Sequence, residues 1–314
     1  MNIFDQIKKK ILALAVGVLV LSGSEGCAEN ILIIKSQELP QYESALNGFK
    51  KSMKSSGYIE NKNVVITYAT MDTLPDNFLA YDLIYTIGTE AAKTAKDRIS
   101  NIPIVFSMIL DPVKNKILNN AADPEGNITG VAIDLPVKQQ LELISGIMPG
   151  TKNVGVVFDP SSSQAVVNKA IKEASAFGLN ILTAQVSSSL DVAKAIKSIL
   201  DKISVLWLII DPTVATKDTL PFILNQCRQN NVAVFGFAPF LVKVGAIASP
   251  VLDYEDIGEQ AGNLAAEILS KKSQDLPPVA YPRKFSIAFN TTVASALGVK
   301  MSSSMNKRVV ESYN

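Results

Sequence analysis

After residue 30, short runs of apolar residues alternate with stretches in which apolar residues recur every three or four positions. The runs are typical of buried strands: ILIIK (31–35), VVITYA (64–69), DLIYTIG (82–88), IPIVFS (102–107) and NITGVAI (127–133). The stretches between them have the spacing of helices, as in Tyr42, Ala45, Leu46, Phe49 and Met53. Strands that alternate with helices in this way predict parallel sheets covered on both faces, and hence an α/β fold.

The same rhythm is repeated further along the chain. Its strands are predicted at NVGVVF (153–158), NILTAQV (180–186), VLWLII (205–210) and VAVFGF (232–237). Two such series predict two similar lobes. We expect lobe 1 to comprise residues 30–133 plus 252–278, and lobe 2 to comprise 134–251 plus 279–303, with 304–314 as a tail. A chain that returns once to the first lobe and crosses back is joined by three connecting strands.

The first residues, 1–28, have the pattern of a signal peptide. Three lysines, Lys8 to Lys10, precede the apolar run ILALAVGVLVL (11–21), and small residues follow in SGSEGCA (22–28). A membrane span needs about twenty apolar residues, which is longer than this run. The sequence therefore predicts an exported protein, either periplasmic or anchored to the membrane and facing outside the cytoplasm.

Two kinds of processing are compatible with the end of this signal. Cys27 after Gly26 resembles a lipobox, in which the cysteine is lipid-modified and becomes the new N-terminus. Glu25, however, stands where such signals usually carry a small uncharged residue. Gly26-Cys27-Ala28 would also serve ordinary signal peptidase before Glu29. Lipidation at Cys27 and a soluble secreted form both remain open.

Composition narrows the classes of function. The chain has 314 residues, is 47% hydrophobic and carries a net charge of +1, so it is a folded protein. No basic stripe of the kind that binds nucleic acid is present in the sequence. Histidine is absent from it, which excludes Ser-His-Asp triads and His-ligated metal sites. Phosphate-binding, dinucleotide-binding and nucleophile-elbow motifs are also missing. We therefore predict no catalytic residues, no cofactor and no metal.

Three apolar runs end on Asp-Pro, at Asp111, Asp159 and Asp211. In open parallel sheets, ligands bind beyond the carboxyl ends of the strands, so these carboxylates are candidate acceptors for a cationic group such as a ligand amine. A local role is equally compatible, because Asp caps helices and Pro is favoured at the first helical position. A hydrolase built on a pair of these carboxylates, with Asp134 as a possible member, is a further alternative.

Other candidate ligand-binding residues follow predicted strands. Thr89, directly after Gly88, opens a helix whose free N–H groups suit a carboxylate. Ser107 and Ser161 offer hydroxyls, and Gln37 lies beyond the first strand. A hydroxyl at a helix start can equally be a simple cap. Phe237, past the last strand of the second series, is a candidate for stacking on a ligand.

Several segments, in order, resemble the substrate-binding proteins of ABC transporters, in the branch that includes tryptophan- and tyrosine-type binding proteins. They are GFKKSMKSSGYIENKNV (48–64), IGTEAA (87–92), IPIVFSMILDPV (102–113), NITG (127–130), LELISGIMPGTKNVGVVFDPS (141–161), DPTVAT (211–216), GAIASPVLDYEDIGEQAG (245–262) and IAFNTTVASALGV (287–299). The resemblance implies the type I periplasmic-binding fold, in which two Rossmann-like lobes joined by three hinge strands close on a small polar or zwitterionic ligand. It also implies a monomer that delivers this ligand, with an aromatic amino acid as one candidate, to permease subunits in the membrane. A sensor of the same fold that signals to a membrane partner is the alternative.

The resemblance also implies which residues lie in the binding cleft. Thr89, Ser107, Asp111 and Asp211 match cleft positions, and Asp253 matches either a cleft or a hinge position. One departure concerns the segment Phe237-Ala238-Pro239, where many members place an acidic residue. A ligand amine would then depend more on Asp211.

Overall fold

The computed structural model describes residues 28–124, 126–271 and 276–314. Cys27 and nearly all of the predicted signal peptide lie outside the described residues. The predicted α/β fold is confirmed: the described chain forms one sheet of five strands and one of seven, each covered by helices. We refer to each sheet with its helices as a lobe.

The first sheet is entirely parallel. Its strands are β1 (Glu29–Lys35), β2 (Val64–Thr70), β3 (Leu83–Ile87), β4 (Ile104–Ile109) and β5 (Ile128–Ala132), in the order β2-β1-β3-β4-β5. Helices α1 (Pro40–Ser55) and α2 (Thr89–Arg98) connect them. Every residue of β3, β4 and β5 is buried, which explains why these segments are continuous apolar runs without alternation.

The chain then crosses over through residues 133–136 and builds most of the second sheet. Its elements in order are α3 (Val137–Ile147), β6 (Asn153–Phe158), α4 (Pro160–Glu173), β7 (Asn180–Gln185), α5 (Val192–Lys197), β8 (Val205–Trp207), α6 (Thr219–Gln229), β9 (Ala233–Phe235), α7 (Pro239–Lys243) and β10 (Ala248–Leu252). Strands β6 to β10 are parallel where they pair. The predicted strand at 205–210 is shorter than expected, because its regular pairing ends at Trp207.

The next helix, α8 (Tyr254–Lys271), returns to the first lobe and packs on α1. Glycines allow this close packing: a Cβ on Gly258 would lie 1.8 Å from the Ala45 carbonyl oxygen, and one on Gly48 would lie 1.9 Å from that of Glu255. The helices therefore meet backbone to backbone, which fixes α8 to the first lobe immediately after the second crossover.

A third crossover leads from Ala280, which pairs with Val131 of the first sheet, back to the second sheet. There β11 (Phe285–Asn290) pairs antiparallel with β10 and is followed by α9 (Thr291–Ala296) and α10 (Ser303–Asn306). The predicted tail at 304–314 is wrong in part: β12 (Val309–Tyr313) pairs with β11 and completes the order β12-β11-β10-β9-β8-β6-β7. Among the described helices, none has the length and apolar character needed to cross a bilayer.

Candidate functional site

The loops that follow the strands of the two sheets face each other across a gap. Lys114, in the loop after β4, donates from Nζ to the backbone carbonyl oxygen of Ser162 after β6, at 3.3 Å. Both loops leave the carboxyl ends of parallel strands, so the binding edge of each sheet borders the same space. This is the position at which ligands bind in open α/β sheets.

In the second lobe, Asp159 and Asp211 hold two neighbouring loops together. Asp211 Oδ2 accepts the backbone N–H of Asp159 at 2.9 Å, while its Oδ1 accepts the N–H groups of Thr213 and Val214 at 2.9 and 3.2 Å. The Asp211 residue is only 1% exposed. Its carboxylate thus accepts three backbone N–H groups within the protein, while its contact with a ligand amine stays a prediction.

Asp159 is the N-cap of α4. Its Oδ1 accepts the N–H and hydroxyl of Ser161 at 2.9 and 2.7 Å, and its Oδ2 accepts the Thr213 hydroxyl at 2.7 Å. Bonds from Ser161 and Thr213, with a smaller contribution from the Lys114 ammonium, hold the Asp159 pKa below its ordinary value. For Asp159 and Asp211 the local interpretation of the Asp-Pro pattern therefore describes the structure. Ser161 is exposed but is bonded to this cap.

Apolar side chains surround the same edge of the second lobe. Phe237 follows β9, is half-buried, and packs edge-on against Phe240, with 5.8 Å between ring centroids. Phe240 and Ile210, the latter in the loop after β8, are exposed. These loops thus offer an apolar and aromatic surface beside the satisfied carboxylates.

In the first lobe, the start of α2 is open to solvent at one point. Gly88 has φ of 95° and precedes Thr89, which is partly exposed. A Cβ on Gly88 would lie 2.4 Å from the Tyr42 hydroxyl and 2.7 Å from Ser36 Oγ, so glycine is required there. Ser36 Oγ accepts the N–H of Ala91 at 2.9 Å. Gln37, next to Ser36, is exposed.

Ser107 does not border the gap. It is fully buried, and its hydroxyl is hydrogen-bonded to the Tyr85 hydroxyl at 2.7 Å. The Tyr85 ring in turn stacks on Phe49, with 3.9 Å between centroids. These contacts place the Ser107 hydroxyl in the core beneath α1.

Asp111 and Asp134 form an acidic pair where the first crossover begins. Asp134 Oδ2 accepts the backbone N–H of Asp111 at 2.7 Å, and Asp111 Oδ1 accepts that of Lys114 at 2.9 Å. Burial raises the Asp134 pKa to about 6, and the nearby Asp111 charge adds to this effect. Burial, together with both carboxylates, raises the pKa of Tyr281 on the third crossover. Within the described residues, no lysine or arginine forms an ion pair with either carboxylate.

Asp253 lies on the second crossover, where its carboxylate caps α8. Its Oδ1 accepts the N–H of Asp256 at 2.9 Å, and its own N–H donates to the Lys284 carbonyl at 3.4 Å. Asp256 is 2% exposed and is bonded by Arg283, whose Nη2 lies 2.8 Å from Oδ1, and by Lys284 at 2.8 Å. These contacts join the second and third crossovers. Asp253 therefore lies where the second and third crossovers meet.

Asp134, Tyr281 and Lys114 are not among the ligand contacts predicted from the sequence. One signal was available for Asp134: it lies at the first crossover, which is close to both lobes. Tyr281 and Lys114 come close to the site only through the folding of distant segments, and nothing in the sequence around them indicates this.

Comparison with known proteins gives consistent matches. The model of the family described as ABC transporter substrate binding protein matches residues 30–312. Over 335 aligned residues, the chain is 28% identical to the tyrosine-binding protein of Clostridioides difficile (strain R20291), covering 97% of this chain and 96% of that relative.

Solved structures agree. The ligand-free, open structure of a substrate-binding protein with adhesive properties from Clostridium difficile matches with a TM-score of 0.73 and 26% identity, over 91% of this chain and 99% of that one. A domain from Streptococcus pneumoniae in complex with L-Trp matches with a TM-score of 0.60 and 23% identity, over the same shares of the two chains. The predicted two-lobed fold is confirmed by these matches.

Proposed function

Because the chain belongs to the ABC transporter substrate-binding proteins, we propose that it captures an aromatic L-amino acid outside the cytoplasm and delivers it to a membrane permease. The observation that carries the choice of an amino acid is the acidic pair Asp111–Asp134, which borders the gap without a cationic partner in the described chain. The sequence lacks phosphate-binding, dinucleotide-binding and nucleophile-elbow motifs, which supports binding without chemistry.

We assign the ligand amine to the Asp111–Asp134 pair. A partly buried carboxylate whose pKa is raised to about 6 is poorly compensated in the unliganded protein. An ammonium group placed beside it supplies the missing positive charge and a set of N–H donors. This assignment replaces Asp211, whose carboxylate is already bonded to three backbone N–H groups.

We assign the ligand carboxylate to the start of α2 at Gly88 and Thr89. The positive end of a helix and its first N–H groups favour an anion, and Thr89 adds a hydroxyl. The Tyr42 hydroxyl lies close to Gly88 and offers a further donor. With the carboxylate and the amine both held from the first lobe and the hinge, the ligand side chain is left to extend toward the second lobe.

The apolar edge of the second lobe suits an aromatic side chain. Phe237, Phe240 and Ile210 follow β8 and β9 there, and an aromatic pair favours stacking with a further ring. The relatives support the same class of ligand, since one is named for tyrosine and another was solved with L-Trp. Asp159 and Ser161 keep the surrounding loops in place, while Asp253 serves the hinge.

The cellular setting follows from the family and the signal. Substrate-binding proteins act outside the cytoplasm, and we propose that the signal peptide at 1–28 exports this one. Lipidation of Cys27 would keep it at the membrane next to the permease. We further propose that it acts as a monomer, without nucleic acid, cofactor or metal.

The ligand can be tested directly. We expect mass spectrometry of the small molecules released by denaturing the purified protein to find an aromatic amino acid. Calorimetry should then show binding of L-tyrosine or L-tryptophan, much weaker binding of tyramine, which lacks the carboxylate, and of 3-(4-hydroxyphenyl)propionate, which lacks the amine. L-Leucine is the control for the aromatic ring. If the two truncated analogues bind as well as L-tyrosine, the proposal is wrong.

A further inference from the structure

One side chain spans the gap away from the three crossovers. Lys114 belongs to the first lobe, and its Nζ lies 3.3 Å from the Ser162 carbonyl oxygen in the first turn of α4. Among the side-chain hydrogen bonds between described residues, the others that join distant segments lie within one lobe or at the crossovers. This contact therefore depends on the two lobes being close together.

A second observation supports a role for the Lys114 charge. The carboxylate of Asp159, which caps the same turn of α4, experiences the Lys114 ammonium as a stabilising positive charge. The Asp159 carboxylate is fixed by Ser161 and Thr213, so it presents a rigid negative centre to the opposite lobe. Rotation of the lobes away from each other would lose both the hydrogen bond and this attraction.

We propose that Lys114 is a latch that stabilises the closed arrangement of the two lobes by binding the first turn of α4 across the gap. Its partners, the Ser162 carbonyl and the Asp159 charge, are protein groups, so the latch acts with or without ligand. The proposal deepens the proposed function, on which its effect on ligand binding rests, but the closure itself does not depend on which ligand is bound.

The size of the effect follows from exposure. Lys114 is exposed, so water screens its attraction to Asp159, and contacts of exposed charges typically change an equilibrium constant by roughly one and a half to fivefold. A latch of this strength shifts the ratio of closed to open molecules without locking the protein. The shift changes apparent ligand affinity by the same factor when only closed molecules hold ligand.

The test measures the distance between the lobes in the unliganded full chain. Spin labels at Leu79→Cys and Leu190→Cys report on the first and second lobes, because these side chains are 72% and 89% exposed. A Cys27→Ser background leaves them as the reactive thiols, since the other native cysteine, Cys227, is buried. We expect Lys114→Met to lower the ratio of closed to open molecules by roughly one and a half to fivefold, and Lys114→Arg to keep it close to that of the native chain.

The matched control is Lys116→Met. Lys116 lies in the same loop and is exposed. Its replacement by Met removes the same charge, but the Lys116 side chain makes no cross-gap contact in the structure. If Lys114→Met and Lys116→Met give the same distance distribution, the latch is wrong. If Lys114→Met weakens L-tyrosine binding while the unliganded distribution is unchanged, Lys114 contacts the ligand instead, which also overturns the proposal. Failure to bind any aromatic amino acid would contradict the proposed function alone.

Discussion

Asp211 in the second lobe and Asp134 at the first crossover are both carboxylates beside the gap, and they have opposite environments. Asp211 accepts three backbone N–H groups and is 1% exposed, so its charge is compensated within the protein. Asp134 accepts the N–H of Asp111 and lies beside a second carboxylate, which together with burial raises its pKa. The difference shows that two carboxylates in similar positions after strands differ in how many donors the protein itself supplies to them.

The largest expected effect is on ligand affinity, which should change much more when Asp134 is replaced than when Asp211 is replaced. Replacement of Asp134 by Asn removes the charge that we assign to the ligand amine, and loss of one partner of such a pair typically costs about 2–5 kcal/mol. We therefore expect Asp134→Asn to weaken L-tyrosine binding by about a hundredfold in calorimetry. The free energy of unfolding should stay the same or rise, because a poorly compensated charge is removed. If the affinity is unchanged in Asp134→Asn, another group accepts the ligand amine and the assignment to Asp134 is wrong.

The next effect is on stability and concerns Asp211. In Asp211→Ala, three backbone N–H groups lose their acceptor, and unsatisfied buried groups cost about 1–3 kcal/mol. We expect the free energy of unfolding, from urea denaturation, to fall by about 2–3 kcal/mol. Affinity for L-tyrosine should change far less than in Asp134→Asn. If Asp211→Ala keeps its stability but loses L-tyrosine binding, Asp211 binds the ligand and the assignment of the amine to Asp134 is contradicted.

The smallest effect is the dependence of binding on pH. Burial raises the Asp134 pKa to about 6 in the folded chain, from an ordinary value of 3.8. The folded state therefore binds this proton more tightly than the unfolded chain, so the contribution of Asp134 to stability falls as pH rises from about 4 to about 6. A ligand ammonium needs the ionised form. Apparent affinity should thus be constant above pH 6 and fall by up to about tenfold per pH unit below it.

Calorimetry at pH 7, 6 and 5, in buffers of different ionisation enthalpy, measures both this affinity change and the release of a proton on binding. Asp134→Asn should abolish the proton release, whereas Asp211→Ala should keep it. A proton release of the same size in both variants would assign the titration to another group.

The sequence predicts the fold well because the relevant signals are local. The strand at 153–158 is found at Asn153–Phe158, and the two-lobed order follows from repeated strand and helix patterns. The tail was missed because β12 is stabilised by pairing with β11 and has no buried residue of its own. Its residues alternate between half-buried and exposed, and the apolar content of so short an edge strand gives little signal.

The site is predicted less well, since availability depends on distant partners. The N–H of Asp159, which is 52 residues from Asp211, occupies the Asp211 carboxylate. Ser107 was expected at the end of a strand, but β4 continues to Ile109, so Ser107 lies within the sheet and meets Tyr85 on the neighbouring strand. Thr89 begins α2 and Asp111 lies in the loop after β4, as the strand and helix patterns indicate, but their contact with a ligand stays a prediction.

The contacts of Asp256 have a mechanical consequence. By bonding Arg283 and Lys284, this residue couples two of the three interlobe connections into one unit, leaving 133–136 as the other attachment. Because these ion pairs hold the two connections together, any change in the angle between the lobes that keeps the ion pairs must move both connections as one unit. The two lobes are therefore attached at two places: the pair of connections that Asp256 holds together, and residues 133–136.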